Sequence, residues 1–297
     1  MSSMSIAIHL GAPMTDNGQL LWSLRKDAHS LMENGVLVRR PVLYQKQVKT
    51  IRNNMKAGFV ADEQRHAVLE GFLRGQNPSR IILSDAAYLG GPVWMLQGGT
   101  MFRDATQNLE TLRNLFAEHQ CEFFLGIRNP ATLIPAVFRS QVKHTLESFL
   151  SGADLLTIRW SDLMLDILEA CPDVPLTVWC NEETPALWPG ILQAVAAQPD
   201  GYRFSGEMDV LEPVITEEGL KRLSTYLDQH PQLTAKQRMQ VCALFLDKYP
   251  ADGEEFEEID LPGWSQDFVD EMTENYLDDI ERIQDIEAIR FLSASAA

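Results

Sequence analysis

Ser5-Ile6-Ala7-Ile8-His9-Leu10-Gly11-Ala12-Pro13-Met14-Thr15-Asp16-Asn17-Gly18-Gln19-Leu20-Leu21-Trp22-Ser23-Leu24 is the stretch that decides the fold. Ser5 to Leu10 is an apolar run of strand length. A turn containing glycine and proline follows, from Gly11 to Gly18. From Gln19 to Glu33 the helical period places Leu20, Leu24, Ala28, Leu31 and Met32 on one face. Asn34-Gly35 ends that helix, because glycine tolerates the left-handed cap conformation. Strand, turn and helix in this order open a parallel α/β sheet.

Working outward, the same alternation repeats. Val36 to Val38 reads as a second strand, Arg80 to Ser84 as a third, Glu122 to Ile127 as a fourth and Pro175 to Cys180 as a fifth. Between them Ala61 to Arg74 (closed by Gly75), Asp104 to His119, the segment after Arg128-Asn129-Pro130, and Ser161 to Cys171 have helical period, with Ser161 as N-cap. Thr184 to Ala197 is helical after the fifth strand. Beyond about residue 205 strand signals stop, and Thr216 to Gln229, Ala235 to Lys248 and Ser265 to Ile289 are helical. The expectation is an α/β domain over residues 1–204, a five-stranded parallel sheet flanked by helices. A helical C-terminal extension, 205–297, packs on it. No linker composition separates the two, so they form one structural unit.

Composition narrows the function classes. The chain has 297 residues, 45% hydrophobic, with 25 Lys plus Arg against 42 Asp plus Glu and a net charge of −17. Such a balance repels phosphate backbones and argues against nucleic acid. The charge is local: Asp252 to Glu287 holds fifteen acidic residues and one basic residue, Arg282, and so carries −14 of the −17. That run is a solvated helical face or a docking surface for a basic partner. The four cysteines, Cys121, Cys171, Cys180 and Cys242, form no CxxC pair and no zinc spacing with histidine. A reducing, cytoplasmic setting is expected, with no metal, no signal peptide at Met1 to Ser5 and no membrane span.

The turn after the first strand is of the kind that holds phosphates, with backbone amides and the positive end of a helix facing the anion. At Gly11, Pro13 and Thr15 it resembles the sulfotransferase family, in particular its bacterial members. The resemblance extends across roughly residues 5 to 290. It implies a nucleotide-kinase-like P-loop sheet of strand order 2-3-1-4-5. It also implies 3′-phosphoadenosine 5′-phosphosulfate as sulfuryl donor, with Gly11, Pro13, Thr15, Asn17, Gly18 and Arg128 as its contacts. The arginine follows Phe123-Phe124-Leu125-Gly126-Ile127, as the family's 3′-phosphate arginine follows a later strand. Asp85, after Ile81-Ile82-Leu83-Ser84, stands where bacterial members carry a general base. Tyr276-Leu277-Asp278-Asp279 has the Tyr-x-x-Asp spacing found near the end of many of them.

The sequence departs from the family at the points that bind charge. Met14 replaces the phosphate lysine, Asp16 a glycine, Asn17 and Gly18 two hydroxyl residues, and Ala136 the serine that partners the arginine. Arg25 and Lys26 lie two turns into the helix, and Ser140 one turn beyond Ala136. Two functions follow. One is a non-catalytic or divergent binding or regulatory relative with an eroded nucleotide site. The other is an active sulfotransferase acting on a hydroxyl of a carbohydrate or small-molecule acceptor. Asp85 has a second reading as a turn aspartate, Arg128 as an arginine bonding local carbonyls, and Trp160, Trp179 and Trp188 as core rather than sugar-stacking residues.

Like charges packed over Asp252 to Glu287 repel, and salt screens them. The melting temperature is therefore expected to rise from low to moderate salt in a thermal denaturation series; a flat or falling trend would remove the electrostatic strain assigned to this segment.

Overall fold

The computed structural model describes residues 3–55, 62–141, 144–251, 259 and 261–294. In chain order the elements are β1 (Ser5–His9), α1 (Gln19–Lys26), α2 (Ala28–Glu33), β2 (Val36–Val38), α3 (Gln45–Met55), α4 (Asp62–Leu73) and β3 (Arg80–Ser84). There follow α5 (Ala105–Leu115), β4 (Gln120–Ile127), α6 (Pro130–Arg139), α7 (Leu146–Leu150), α8 (Trp160–Ala170), β5 (Leu176–Cys180) and α9 (Thr184–Ala196). The chain closes with α10 (Glu217–Gln229), α11 (Ala235–Lys248), α12 (Gln266–Gln284) and β6 (Ile289–Phe291).

All strands pair in parallel in one sheet of order β2-β3-β1-β4-β5-β6. The first five follow the 2-3-1-4-5 order, and a sixth strand joins at the outer edge of β5. The strands alternate between two cores, as a pleated strand must when both faces are covered. Ile6, Ile8, Ile81, Leu83, Phe123, Leu125, Leu176 and Val178 face one core, shared with Phe72, Leu109, Ile134, Met164 and Met272 from α4, α5, α6, α8 and α12. Ala7, Ile82, Phe124 and Trp179 face the other, shared with Leu20, Leu24, Leu187, Ile191 and Met239 from α1, α9 and α11. Leu211, Ile215, Leu223, Leu227 and Cys242 form a small separate cluster around α10 and α11.

Several local expectations change. The helix expected over Gln19 to Glu33 is two, α1 and α2, broken at Asp27. Its carboxylate turns aside to accept bonds from the Ser205 amide (2.8 Å) and hydroxyl (2.6 Å), tying the break to the loop after α9. Ser161 is not an N-cap, since α8 begins at Trp160. The cap is borrowed from α12: Asp279, buried, accepts from the Ser161 amide at 3.1 Å, and from the Trp160 amide and the Ser161 hydroxyl. A carboxylate at a helix start is favoured by the unsatisfied amides and by the helix dipole. The C-terminal third is helical to Gln284 as expected, but the Ile289 end of the expected helix is instead β6, with Leu176 opposite Ile289 and Val178 opposite Phe291. A strand of three residues carries too little pattern to be read against a long helix before it. Part of the acidic run, residues 252–258 and 260, lies outside the described residues. No described helix is long and apolar enough to cross a membrane.

Asp279→Ala leaves two buried backbone amides without acceptors, at a cost of about 2–4 kcal/mol. Urea denaturation should show a midpoint lowered accordingly; a loss below the measurement error would mean that α8 does not depend on this cap.

Candidate functional site

β1 passes into α1 on one face of the sheet, while β3, its neighbour, leads towards α5 on the other. Chain segments leaving adjacent strands in opposite directions open a crevice at the carboxyl edge of a parallel sheet, where such folds bind ligands. A cleft of about 540 Å³ lies there, within the roughly 300–1,000 Å³ usual for small-molecule sites. Its walls come from the turn after β1 (Ala12, Met14, Asp16, Asn17, Gly18), from α1 (Leu21, Trp22, Arg25), from the segment after β2 (Arg40, Pro41, Val42, Gln45) and from the end of β3 (Ser84, Asp85, Ala86).

The turn is set by backbone geometry. Gly11 has φ +58°, and a Cβ on it would meet the backbone of Asp85 and Ala86 at 3.0–3.1 Å, so only glycine fits between the two strand ends. Met14 and Asn17 also have positive φ, 57° and 48°. Thr15 bonds the Ala12 carbonyl through its hydroxyl at 2.6 Å, closing the turn on itself. Asp16 then reaches forward: its Oδ2 accepts from the Leu20 amide at 3.1 Å, and its carbonyl from the Gln19 amide at 2.8 Å. The carboxylate thus occupies the start of α1, where an anion would sit in a phosphate-holding turn.

Arg128 is placed against this turn, but it is engaged by the protein. Nη1 donates to the Met14 carbonyl and Nε to the Thr132 hydroxyl at 3.0 Å, while the Arg128 carbonyl accepts from the Trp160 indole at 2.9 Å. Ser140, one turn beyond Ala136, donates its hydroxyl to the Val137 carbonyl at 2.6 Å. Asp85 lines the cleft as a turn aspartate, its Oδ1 accepting from the Ala87 amide at 2.9 Å. Of the residues singled out from the sequence, Asn17, Gly18 and Asp85 line the cleft with Met14 and Asp16, whereas Gly11, Pro13, Thr15 and Arg128 shape the turn from behind. Lys26 pairs with Asp209.

Beneath the cleft is a buried polar layer. His9 Nδ1 and the Ser84 hydroxyl, opposite each other on β1 and β3, share a hydrogen bond of 2.8 Å. The Tyr44 hydroxyl donates to the Ser84 carbonyl (2.7 Å) and accepts from its amide (2.9 Å). Trp179 stacks on His9 with ring centroids 5.9 Å apart. Burial drives the His9 imidazole below its ordinary value, and the Asp16 carboxylate opposes the shift. Trp160, Trp179 and Trp188 are all core residues. Among the described residues no cluster of His, Cys, Asp or Glu has the arrangement of a metal site.

Trp22, Arg40 and Val42 were not singled out from the sequence, and Arg25 was set aside as too far along its helix. In the structure α1 leans over the cleft so that its second turn forms a wall. The signal for Arg40 was available: it is the second residue after β2, and in a parallel sheet every strand ends on the same edge.

The Tyr-x-x-Asp pair divides its work. Asp279 caps α8, while the Tyr276 hydroxyl donates to Glu182 Oε2 at 3.0 Å, whose Oε1 accepts from the Asn129 amide at 2.7 Å. Both ties anchor α12 to the carboxyl ends of β4 and β5. Burial and the neighbouring Glu182 push the Tyr276 phenol well above its ordinary value, so it stays a neutral donor, and burial raises the Cys180 thiol to about 12.

Searches against protein-family models, curated proteins and solved structures found no match to this chain.

Because native His9 is held neutral, the unfolded chain binds a proton that the native protein resists. Its contribution to stability is complete above the ordinary value of 6.5 and is lost as pH falls below it towards the lowered native value. His119, lowered by burial too, acts in the same sense. Chemical denaturation between pH 7.5 and 5 should therefore show a shallower loss of stability in His9→Gln than in the unchanged protein; equal slopes would mean that His9 is not held neutral.

Proposed function

We propose that this chain is a non-catalytic relative of the sulfotransferases, a binding scaffold whose phosphate position is filled from within. The observation that carries this reading is the Asp16 carboxylate on the Leu20 amide. A bound phosphate would need that donor and would face a carboxylate in its place. Other features agree. Met14 supplies no charge where the family has lysine. Arg128 gives its guanidinium to the Met14 carbonyl and Thr132, and Ala136 offers no hydroxyl. Asp85 is committed to its own turn through one oxygen, so a base role has no support beyond its place in the cleft. The scaffold nevertheless keeps an open cleft at the sheet's switch point, and binding there is the function we assign to it.

A lost lysine–phosphate contact is a charge-assisted hydrogen bond of about 1.5–3 kcal/mol, and a lost serine bond about 1 kcal/mol. With repulsion from Asp16 the total is about 4 kcal/mol, roughly a thousandfold in affinity. Calorimetric titration with 3′-phosphoadenosine 5′-phosphate should show binding near millimolar or none. The triple variant Met14→Lys, Asp16→Gly, Ala136→Ser should recover part of it. Tight binding by the unchanged protein would overturn the non-catalytic reading, and no gain in the triple variant would separate the turn from any nucleotide ancestry.

A further inference from the structure

The cleft is lined by four charges of two signs that do not pair. Asp16 and Asp85 come from the ends of β1 and β3, Arg25 from α1, and Arg40 from just after β2. No ion pair joins any of these carboxylates to any of these guanidiniums. Each carboxylate holds one backbone amide, Leu20 for Asp16 and Ala87 for Asp85, and no cation. Arg25 lies over the Trp22 ring, 5.5 Å from its centroid. Arg40 is exposed; its carbonyl accepts from the Leu43 amide at 3.0 Å, and no hydrogen bond or ion pair ties its guanidinium to the described residues. Opposite charges that share a small space without closing on each other lack the partners that would balance them in a partly dry site.

The rest of the lining is apolar. Ala12, Met14, Leu21 and Ala86 contribute to the inner surface, and Trp22 and Val42 stand on facing segments, 65% and 74% exposed. Large apolar side chains left this open on either side of a cleft mark a binding surface rather than ordinary surface scatter. The indole, already carrying a guanidinium on its face, offers a flat wall to an aromatic or branched aliphatic group.

We propose that the cleft binds a zwitterionic small molecule with an apolar body, of the class of an aromatic or large aliphatic α-amino acid. Its ammonium meets Asp85 and Asp16 at the strand ends. Its carboxylate meets Arg40 and Arg25 on the outer walls, and its side chain lies against Trp22 and Val42. A ligand of one sign satisfies one pair and is repelled by the other, and a polyanion such as a nucleotide is repelled most. This inference rests on the reading of the cleft as a binding site. The nucleotide titration above judges the closed phosphate position, whereas the experiment here judges whether the cleft binds and which ligand class it takes.

The test uses three matched probes, L-phenylalanine, N-acetyl-L-phenylalanine and L-phenylalaninamide, which present both charges, the negative one and the positive one. Each is titrated by calorimetry, with tryptophan fluorescence as second readout, because Trp22 lies in the wall. The zwitterion should bind at least about tenfold more tightly than either singly charged probe, the scale of one charge-assisted hydrogen bond. Asp85→Asn, which keeps an acceptor for the Ala87 amide, should weaken the zwitterion and the amide but not the acetylated probe. Arg40→Gln should weaken the zwitterion and the acetylated probe but not the amide. Circular dichroism identifies any variant that fails to fold, and the ranking of the three probes on the unchanged protein stands apart from the variants. Equal or tighter binding of either singly charged probe, or no binding of the zwitterion at millimolar concentration, overturns the proposal.

Discussion

A sheet whose strands all run one way has no face to leave in water, because each strand must be followed by a crossover that lands on one side or the other. That constraint organises the molecule. It makes the inner strands core on both faces, as Ile6, Ala7 and Ile8 are on β1. It sends α1 and α9 to one side and α4, α5, α6 and α8 to the other. Where the first strand's crossover departs from its neighbour's, covering is incomplete by necessity, and the cleft is what remains. The site is thus a product of topology first and of side chains second.

Within that frame the chain uses its own carboxylates as the anions at the starts of α1 and α8. Asp16 does so locally, on α1, and Asp279 does so from far along the chain, on α8. Both satisfy amides that would otherwise lack an acceptor, those of α8 buried and that of α1 at the cleft. The first fills the position where a phosphate-holding turn would admit its anion. The second fastens α12 across the carboxyl edge, helped by the Tyr276–Glu182–Asn129 relay. Ionic contacts that look like binding groups in the sequence, Arg128 above all, are drawn into the same internal work.

The fold was legible because its signal is local. Ser5 to Leu10, Arg80 to Ser84 and Pro175 to Cys180 are apolar runs bounded by turns, and Val36 to Val38 falls on β2 residue for residue. What escaped was decided at a distance. The break at Asp27 answers to Ser205, the cap of α8 to Asp279, and β6 to the free edge of β5. The helix α3 was not read, because Val48, Ile51 and Met55, though at helical spacing, are few among polar neighbours such as Gln45, Lys46, Gln47 and Lys49. The site was half legible for the same reason. Met14, Asp16 and Asp85 sit in turns that the sequence marks, whereas Trp22, Arg25, Arg40 and Val42 join them only through the packing of α1 and of the segment after β2.

The sixth strand sets a condition on how the molecule is assembled. The outer edge of β5 is paired by Ile289 to Phe291, so Leu176 waits for a partner that arrives more than a hundred residues later. Contacts of such long separation form late, because closing a long loop costs entropy before any bond returns it. Until then β5 presents a line of unmatched amides and carbonyls beside Val178 and Leu176, the chemistry by which strands adopt strangers. A newly made chain therefore passes through an interval in which its most adhesive border is bare, and the three residues of β6 end that interval.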